Sequence, residues 1–516
     1  MTNMLLILFP TQLFENKHID NIFKANKSNN HIIIIEHPYF FTKYPYHKMK
    51  LVLHRASMMN YYDLINKKYH TQYIQYNEMN KIQSYVRDNH IGKIIFFNPI
   101  ENELIDFTNS KLIKGVDVKK VDIEILPTPY FLNSYQDNVK INDELGGLRH
   151  DLFYKNQRIM HDIMVKKNNN KYIPDGNKWS FDTENRKPFE KTQNEPNMLK
   201  YKSKTRNEYL EEAVEYVNDS FSKHYGDNNL DNFIYPINRK EALKWLKHFV
   251  SNKLDNFGKY EDALSSQIKF GYHSLLSPLT NIGLITPNDI IDSVKSYKKN
   301  IASKEGFIRQ VIGWREYCYF TYCLYSEKLA KTPLYGKNKN KIPKYVWNCS
   351  TQILPIDNIL RNLSSNGYSH HIERLMGIGN FLVLIETDPK EIYNWFQTMY
   401  IDAYDVFMIP NIYGMLCYGK LTDKYHMMTR PYFASSNYIM KMSDYKSKEC
   451  VKIKNEVYKW DDILDCLYWE HINKYSKEFK KIYATSSAVS RYEKFDSDKK
   501  KYIQKISKKY IDWIHS

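Results

Sequence analysis

The chain has 516 residues, 42% of them hydrophobic and 15% aromatic, enough apolar material for more than one buried core and far from the composition of a disordered protein. Lys and Arg number 75 against 58 Asp and Glu; the net charge of +17 favours an anionic partner, nucleic acid before membrane, although a chain rich in Asn, Ile, Lys and Tyr carries such a surplus as plain compositional bias too. Six cysteines with no Cys-x-x-Cys pair exclude a disulfide framework and ordinary zinc or redox motifs, and no apolar run approaches the roughly 20 residues that span a bilayer.

In chain order, "MLLILF" (4–9) is too short for a secretory signal and lacks a preceding basic region, so it reads as a buried strand of a soluble, intracellular protein. "HIIIIEH" (31–37) and "GKIIFFN" (92–98) are further β-branched runs, separated by helical stretches such as 52–66. This alternation predicts an α/β unit with a doubly wound, largely parallel sheet over 1–131. "FPTQLF" follows the first strand where a Gly-x-Gly-x-x-Gly dinucleotide fingerprint would stand, so that fingerprint is absent. Residues 132–204 are polar and rich in Asn, Lys and Pro; they read as a connecting segment with a helical pair around 136–166. Over 205–516 nearly every periodic stretch is helical, at 207–223, 240–253, 260–269, 288–296, 304–330, 356–364, 369–385, 389–407 and 460–481, which predicts an all-α second domain.

Four segments of that half carry candidate chemistry. In "NFGKYEDALSSQIKFGYHSLLSPLTNIGLITP" (256–287), a polar turn of His273, Ser274 and Ser277 before Pro278 offers hydroxyls and backbone N–H groups to a phosphate, though Ser-x-x-Ser-Pro is also a common helix entry. "EGFIRQVIGWREYC" (305–318) sets Glu305, Arg309 and Glu316 at helical spacing with Trp314 beside them; alone, it would suit an ion-paired surface helix. "GYSHHIERLMGIGNFLVL" (367–384) reads as an amphipathic helix with adjacent His370 and His371 near its start. Neighbours on a helix point about 100° apart, so the two rings can share one pocket wall but cannot serve one metal in the usual way, and no metal site is predicted. A capping or packing ring beside a solvated one is the other reading of that pair. The fourth segment is "NWFQTMYIDAYDVFMIPNIYGM" (394–415).

Together these segments resemble the flavin-binding helical domain of the photolyase and cryptochrome superfamily, and more narrowly its prokaryotic iron–sulfur branch, whose members repair (6-4) photoproducts. "HPYFFTKYPYHKMKLVLHRASM" (37–58) is similar to that branch's antenna domain, and "WSFDTENRKP" (179–188) and "TRPYFASSNYIMKMSDY" (429–445) are similar to its signatures. The resemblance implies the photolyase/cryptochrome fold: a Rossmann-like α/β antenna domain (1–131), an interdomain connecting segment (132–204) and an all-α FAD-binding catalytic domain (205–516). It also implies FAD as cofactor and UV-damaged DNA as partner of a monomeric DNA photolyase, a lyase that works with blue light. Carried over by motif, Tyr260, Ser274, Leu276 and Ser277 would contact the phosphates and ribityl chain. Glu305, Arg309, Asn380, Asp402 and Asn411 would line the isoalloxazine and adenine. His370 and His371 stand where the (6-4) enzymes keep paired histidines; moving a hydroxyl between rings needs a protonatable group at the lesion. Tyr432 and Tyr438 match tyrosines near the same pocket, and Asp182 lies in the segment that reaches the lesion. Trp395 and Trp347 look like the branch's electron relay, with ordinary core tryptophans as the alternative, and Phe396 stands where relatives often carry tyrosine.

The chain departs from the branch at its four-iron, four-sulfur cluster. Pro355 stands eight residues after Trp347 at the first cysteine position, and Lys446 and Glu449 stand at the next two. Cys466 lies two residues before Tyr468, close to the last position, and Cys349 and Cys450 are near misses. A thiolate cluster needs all its ligands at fixed reach, so loss of the cluster is expected. Glu36 matches one anchoring position of a 6,7-dimethyl-8-ribityllumazine antenna, although strand ends attract polar residues in any case. The leading expectation is light-driven repair of (6-4) photoproducts. The alternatives are repair of cyclobutane dimers, which the histidine pair disfavours, a cryptochrome-like blue-light receptor without repair, and a flavin-free DNA-binding relative.

Overall fold

A computed structural model describes residues 3–24, 30–108, 121–145, 149–169 and 171–516. Near the N-terminus, β1 (Asn3–Leu8), β2 (Asn30–Ile35), β3 (His70–Ile74), β4 (Ile91–Phe97) and β5 (Asp122–Leu126) form one five-stranded sheet in the order β3-β2-β1-β4-β5. Every pairing is parallel, as helices covering both faces require. The central strands β1, β2 and β4 are the three apolar runs of the sequence, and their side chains are almost wholly buried. The edge strands β3, "HTQYI", and β5, "DIEIL", are half exposed and carry too weak a pattern to stand out in sequence.

The helix Lys48–Ile65 lies on this sheet and also packs against Lys204–Ser220. Arg55 of the first helix bonds Glu212 of the second at 2.6 Å, and Tyr216 donates to Glu36 at 2.6 Å. The two halves therefore meet through a buried polar network as well as apolar contact. Two short helices, Tyr135–Leu145 and His150–Met160, stand where a pair was expected around 136–166.

The second half is largely helical, with three differences from expectation. Residues 260–269 form turns, because Ser265 Oγ accepts from the backbone of Gln267 and Ile268, Asp444 takes the Ser266 N–H, and Glu195 takes those of Lys269 and Phe270. Side chains thus compete for the backbone donors that a helix would use. The stretch 389–407 is helical only at Pro389–Met399 and Asp405–Met408; between them Ile401 N–H donates to Gly367, which turns Asp402 inward. Finally, β6 (Val165–Asn168) pairs with β7 (Lys171–Pro174), and β8 (Glu449–Ile453) pairs with β9 (Glu456–Lys459) as a hairpin inside the expected all-α region. Its signal, alternation of buried Val451 and Ile453 with exposed Lys452 and Lys454, is only a few residues long.

Three helices widen into π-helical turns, at Arg309–Arg315, Glu373–Gly379 and Ile409–Leu416. Such turns are rare and concentrate where a chain must present side chains to a site. Among the described residues no helix is long and apolar enough to cross a membrane, and all six cysteines are free.

Candidate functional site

The three π-helical turns face one another across a cavity of about 590 Å³. Each supplies part of the wall: Arg309, Gln310 and Trp314 from the first, Arg374 and Met376 from the second, Asn411, Ile412 and Met415 from the third. The turn before Ser277–Asn281 closes a fourth side with His273, Ser274 and Leu276. Leu275 in that turn is fully buried with φ +51°, a left-handed conformation costly for a branched side chain. Trp245 Nε1 holds the turn by donating to Ser274 O at 2.8 Å.

One polar knot stands at the Asp402 side. Arg374 grips Asp402 with both terminal nitrogens, at 2.9 and 3.0 Å, while Ser277 Oγ donates to the same carboxylate at 2.5 Å. A second stands around Arg309. Its Nη1 donates to Asp182 at 2.8 Å, its Nε lies 3.5 Å from Glu305 and its Nη2 lies 3.9 Å from Glu261. Burial pushes the Asp182 carboxyl up, but the hydrogen bond and charge of Arg309 outweigh it and hold the group below its ordinary value. Burial raises Glu261 to about 7, with His371 and Arg309 opposing. Arg309 Nε and Nη2 are buried without a hydrogen-bond acceptor, as are Arg315 Nε and His273 Nε2. These donors, set among Phe257, Phe307, Phe396, Phe407 and Met408, suit a planar, partly anionic ligand with an apolar ring system.

The adjacent histidines part company. His371 lines the cavity with 46% of its side chain exposed, its Nε2 3.5 Å from Asp262 Oδ1. His370 is buried behind the wall and stacked face to face on His273, with centroids 4.4 Å and planes 8° apart. Burial lowers both His273 and His370 well below the ordinary imidazole range, so both rings are neutral near pH 7. One ligand atom from each of His273, His370 and His371 lies within 4.8 Å of the others, a candidate metal group. Tyr432 and Tyr438 line the mouth with Asp182, Arg186 and Arg430. A second groove of about 560 Å³ shares His150, Met428 and Tyr432 with the cavity and continues along Arg149, Lys424, Tyr425 and His426.

Of the residues singled out in sequence, Ser274, Leu276, Ser277, Arg309, Asp402, Asn411, His371, Tyr432, Tyr438 and Asp182 meet in this one cavity. Three expected to touch a cofactor do not line it. Glu305 accepts from Tyr154 Oη and from Phe181 N–H, both at 2.8 Å, and so orders the Asp182 segment. Asn380 is occupied by Ala434, whose carbonyl and N–H it meets at 3.0 Å each. Tyr260 stacks on Tyr272 and donates to Glu190. Trp395 and Trp347 lie behind the wall, 6.3 Å apart, with Trp395 against Phe396, which faces the cavity. Gln310, Arg315, Arg186 and Asp262 were not singled out; nothing in their local sequence separates them from surface polar residues, since the fold alone turns them inward.

Glu36 is 0% exposed, and its carboxylate accepts from Arg55, Tyr73 and Tyr216 and from the N–H of Tyr76. It ties the two halves together and offers no free acceptor to an antenna. The expected cluster positions do not suit iron–sulfur ligation: Pro355 opens the helix Leu354–Asn366, Lys446 O accepts from Trp460 Nε1 at 2.9 Å, and Glu449 begins β8. Trp460 is fully buried there, so an indole packs the region.

Residues 6–235 match the family model described as "Deoxyribodipyrimidine photo-lyase-related protein". The chain is 29% identical over 384 residues to a (6-4) photolyase of Agrobacterium fabrum, covering 73% of each protein. In fold it is similar to a bacterial class III photolyase from Agrobacterium tumefaciens, with a TM-score of 0.58 and 13% identity over 86% of both chains. A Synechocystis cryptochrome gives a TM-score of 0.55 at 13% identity, over 88% of this chain and 85% of that one. An α/β sheet domain joined to a helical domain with a central amphiphilic cavity defines the photolyase-like class of architecture. The chain has the photolyase and cryptochrome fold.

Proposed function

We propose that this protein is a DNA photolyase that reverses (6-4) pyrimidine–pyrimidone photoproducts, with FAD in the helical cavity and the flipped lesion at its mouth. One observation carries the reading: an exposed imidazole, His371, stands on the cavity wall beside Asp262, and the same cavity is lined by Tyr438, Arg309 and Arg315, whose guanidinium groups keep buried N–H donors without a hydrogen-bond acceptor. The relationship to a (6-4) photolyase supports it. Reduced FAD, when bound, supplies on absorbing blue light the electron that the lesion needs. Ser274, Leu276, Ser277, Arg374 and Asp402 would hold its polar chain, and Arg309, Trp314 and Asn411 its rings. The aromatic and methionine side chains around them exclude water. His371, held by Asp262 at Nε2, would give a proton from its other ring nitrogen, Nδ1, to the migrating hydroxyl and take it back. His370, stacked on His273, supports the wall on which His371 stands.

Extrusion of the lesion costs a few kcal/mol and is cheapest for a damaged, badly stacked base. Arg186 and Arg430 at the mouth, with Arg149 and Lys424 in the adjoining groove, would meet the phosphates of the opened strand. The test is repair by the photoreduced holoprotein of two oligonucleotides, one bearing a (6-4) product and one a cyclobutane dimer, in blue light and in darkness. Light-dependent restoration of the (6-4) strand alone supports the proposal; a flavin-loaded protein that repairs neither strand refutes it and leaves a receptor.

A further inference from the structure

The groove that continues from the cavity mouth measures about 560 Å³ and shares His150, Met428 and Tyr432 with the cavity, so an occupant of one meets an occupant of the other across a common wall. Beyond these three it is lined by Tyr418, Tyr425, His426 and Met427. Tyr418 and His426 lie face to face, with centroids 4.0 Å and planes 12° apart, and His426 Nδ1 meets Tyr418 O at 2.9 Å. Tyr418 has φ +52°, a left-handed conformation costly for an aromatic residue, and the loop returns on itself through Leu421 N–H to Tyr425 O at 2.8 Å and Met427 N–H to Gly419 O at 3.0 Å. The ring pair is therefore in place before anything binds. Tyr425, on the same loop, leaves 46% of its surface exposed. His150 stands edge-on to Trp314 and Tyr317, with centroids 5.3 and 5.2 Å away. Burial, with the Arg309 charge, lowers it to about 4, so the ring is neutral near pH 7, and its Nε2 is buried with no hydrogen-bond partner among the described residues.

We propose that this groove seats the nucleobase next to the lesion on the same strand, unstacked from its neighbours and laid against Tyr425 and the Tyr418–His426 pair. The inference rests on the DNA-repair reading of the cavity and adds a second nucleotide site to it. Aromatic faces beside cations are what a single strand binds, because every base has a π-face and every linkage a phosphate. Here the cations are Lys424 and Arg149, the latter fixed by Asp151 at 2.7 Å, and both side chains are exposed. An unanswered imidazole nitrogen costs free energy in the folded chain, and the polar edge of a heterocycle can answer it where an apolar ligand cannot. Pockets of about 300–1,000 Å³ hold small molecules, so the groove has room for a base and its sugar. The shared wall decides the strand: a lesion at the mouth brings its covalent neighbour to Met428 and Tyr432, whereas the base opposite has no tie to the mouth. Seating that neighbour takes it out of its own pair, so the duplex is opened one step beyond the lesion.

The test measures binding, in darkness, of the FAD-loaded protein to single strands with one (6-4) product whose 5′ or 3′ neighbour is intact or abasic, and to a duplex that is abasic opposite the lesion. One of the two neighbouring abasic placements should weaken binding by about 5- to 150-fold, the equivalent of one lost base–aromatic stack, and the other should not. Tyr425→Ala should weaken binding of the intact strand by a similar factor and add almost nothing on the sensitive abasic strand, because both changes remove one contact. His150→Phe, which keeps a ring against Trp314 and Tyr317, should follow the same pattern with a smaller factor. Unchanged binding of both abasic single strands, or losses from Tyr425→Ala and the abasic residue that multiply, overturns the proposal while (6-4) repair continues. Sensitivity only to the abasic residue opposite the lesion overturns it as well, in favour of the partner strand's base. A protein that binds damaged and undamaged strands alike overturns the DNA-repair reading itself, and this proposal with it.

Discussion

Arg309 and Asp182 lie 127 residues apart in sequence and share a 2.8 Å ion pair at the cavity mouth. The same guanidinium faces Glu305 and Glu261, so one cation answers three carboxylates drawn from the connecting segment, the turn region and its own helix. Removing one partner of a buried ionic group leaves uncompensated charge, at a cost of about 3–5 kcal/mol. Arg309→Met should therefore lower the free energy of unfolding by that order and reduce the FAD content of the purified protein. Unfolding curves and the flavin absorbance ratio are the checks.

The two adjacent histidines should separate in function. His371→Phe removes the imidazole from the wall and should cut (6-4) repair by about 10²–10⁴, the usual scale of acid–base contributions. His370→Phe keeps a ring stacked on His273 and should retain substantially more repair than His371→Phe. Single-turnover repair yields of the two holoproteins decide between them; equal losses would count against the separation.

Binding to lesion-bearing DNA should weaken as log Kd rising linearly with log salt. Arg430 lines the mouth, its guanidinium 5.2 Å from the Tyr432 ring. If it neutralises one phosphate, Arg430→Ala should lower the magnitude of that slope by about 1. Titrations at several salt concentrations measure it.

Purified protein should contain no iron, and chelators should leave its unfolding midpoint unchanged, because Pro355, Lys446 and Glu449 stand at the cluster positions. The region should depend instead on packing around Trp460, and Trp460→Ala should cost about 3–5 kcal/mol. Iron analysis and denaturation of the two proteins test this.

Glu101 is buried near Asp405, and burial foremost, with the Asp405 charge, raises its carboxyl from 4.5 to about 8. The folded protein thus keeps a proton there that the unfolded chain releases above its ordinary value. Between pH 4.5 and 8 the folded state binds more protons, so this group's contribution to stability falls as pH rises through that window. Glu101→Gln should flatten the decline, as unfolding midpoints at pH 5 and pH 8 would show.

Much of the molecule is legible from local pattern. The apolar runs at 4–9, 31–37 and 92–98 become the central strands because a strand buried on both faces must be apolar throughout. The motifs around Ser277, Arg309, His371 and Asn411 converge on one cavity because each belongs to a segment whose spacing is itself informative. Where pattern is short, it is silent: the edge strands β3 and β5 and the β8–β9 hairpin offer only a few residues of alternation, and turns at 260–269 depend on acceptors as distant as Asp444.

What tertiary structure alone decides is which of two similar neighbours faces the site. His370 and His371 are equivalent in sequence, yet a stacking partner in another segment, His273, takes one and leaves the other to the cavity. Glu305 and Asn380 sit in the right motifs, but Tyr154 and Phe181 claim the first and Ala434 claims the second. The physical reason is common to these cases. Backbone periodicity is set by residues within a few positions, so sequence carries it; the orientation of a polar side chain is set by whichever distant donor or acceptor folding brings within about 3 Å, and only the closed chain supplies that partner.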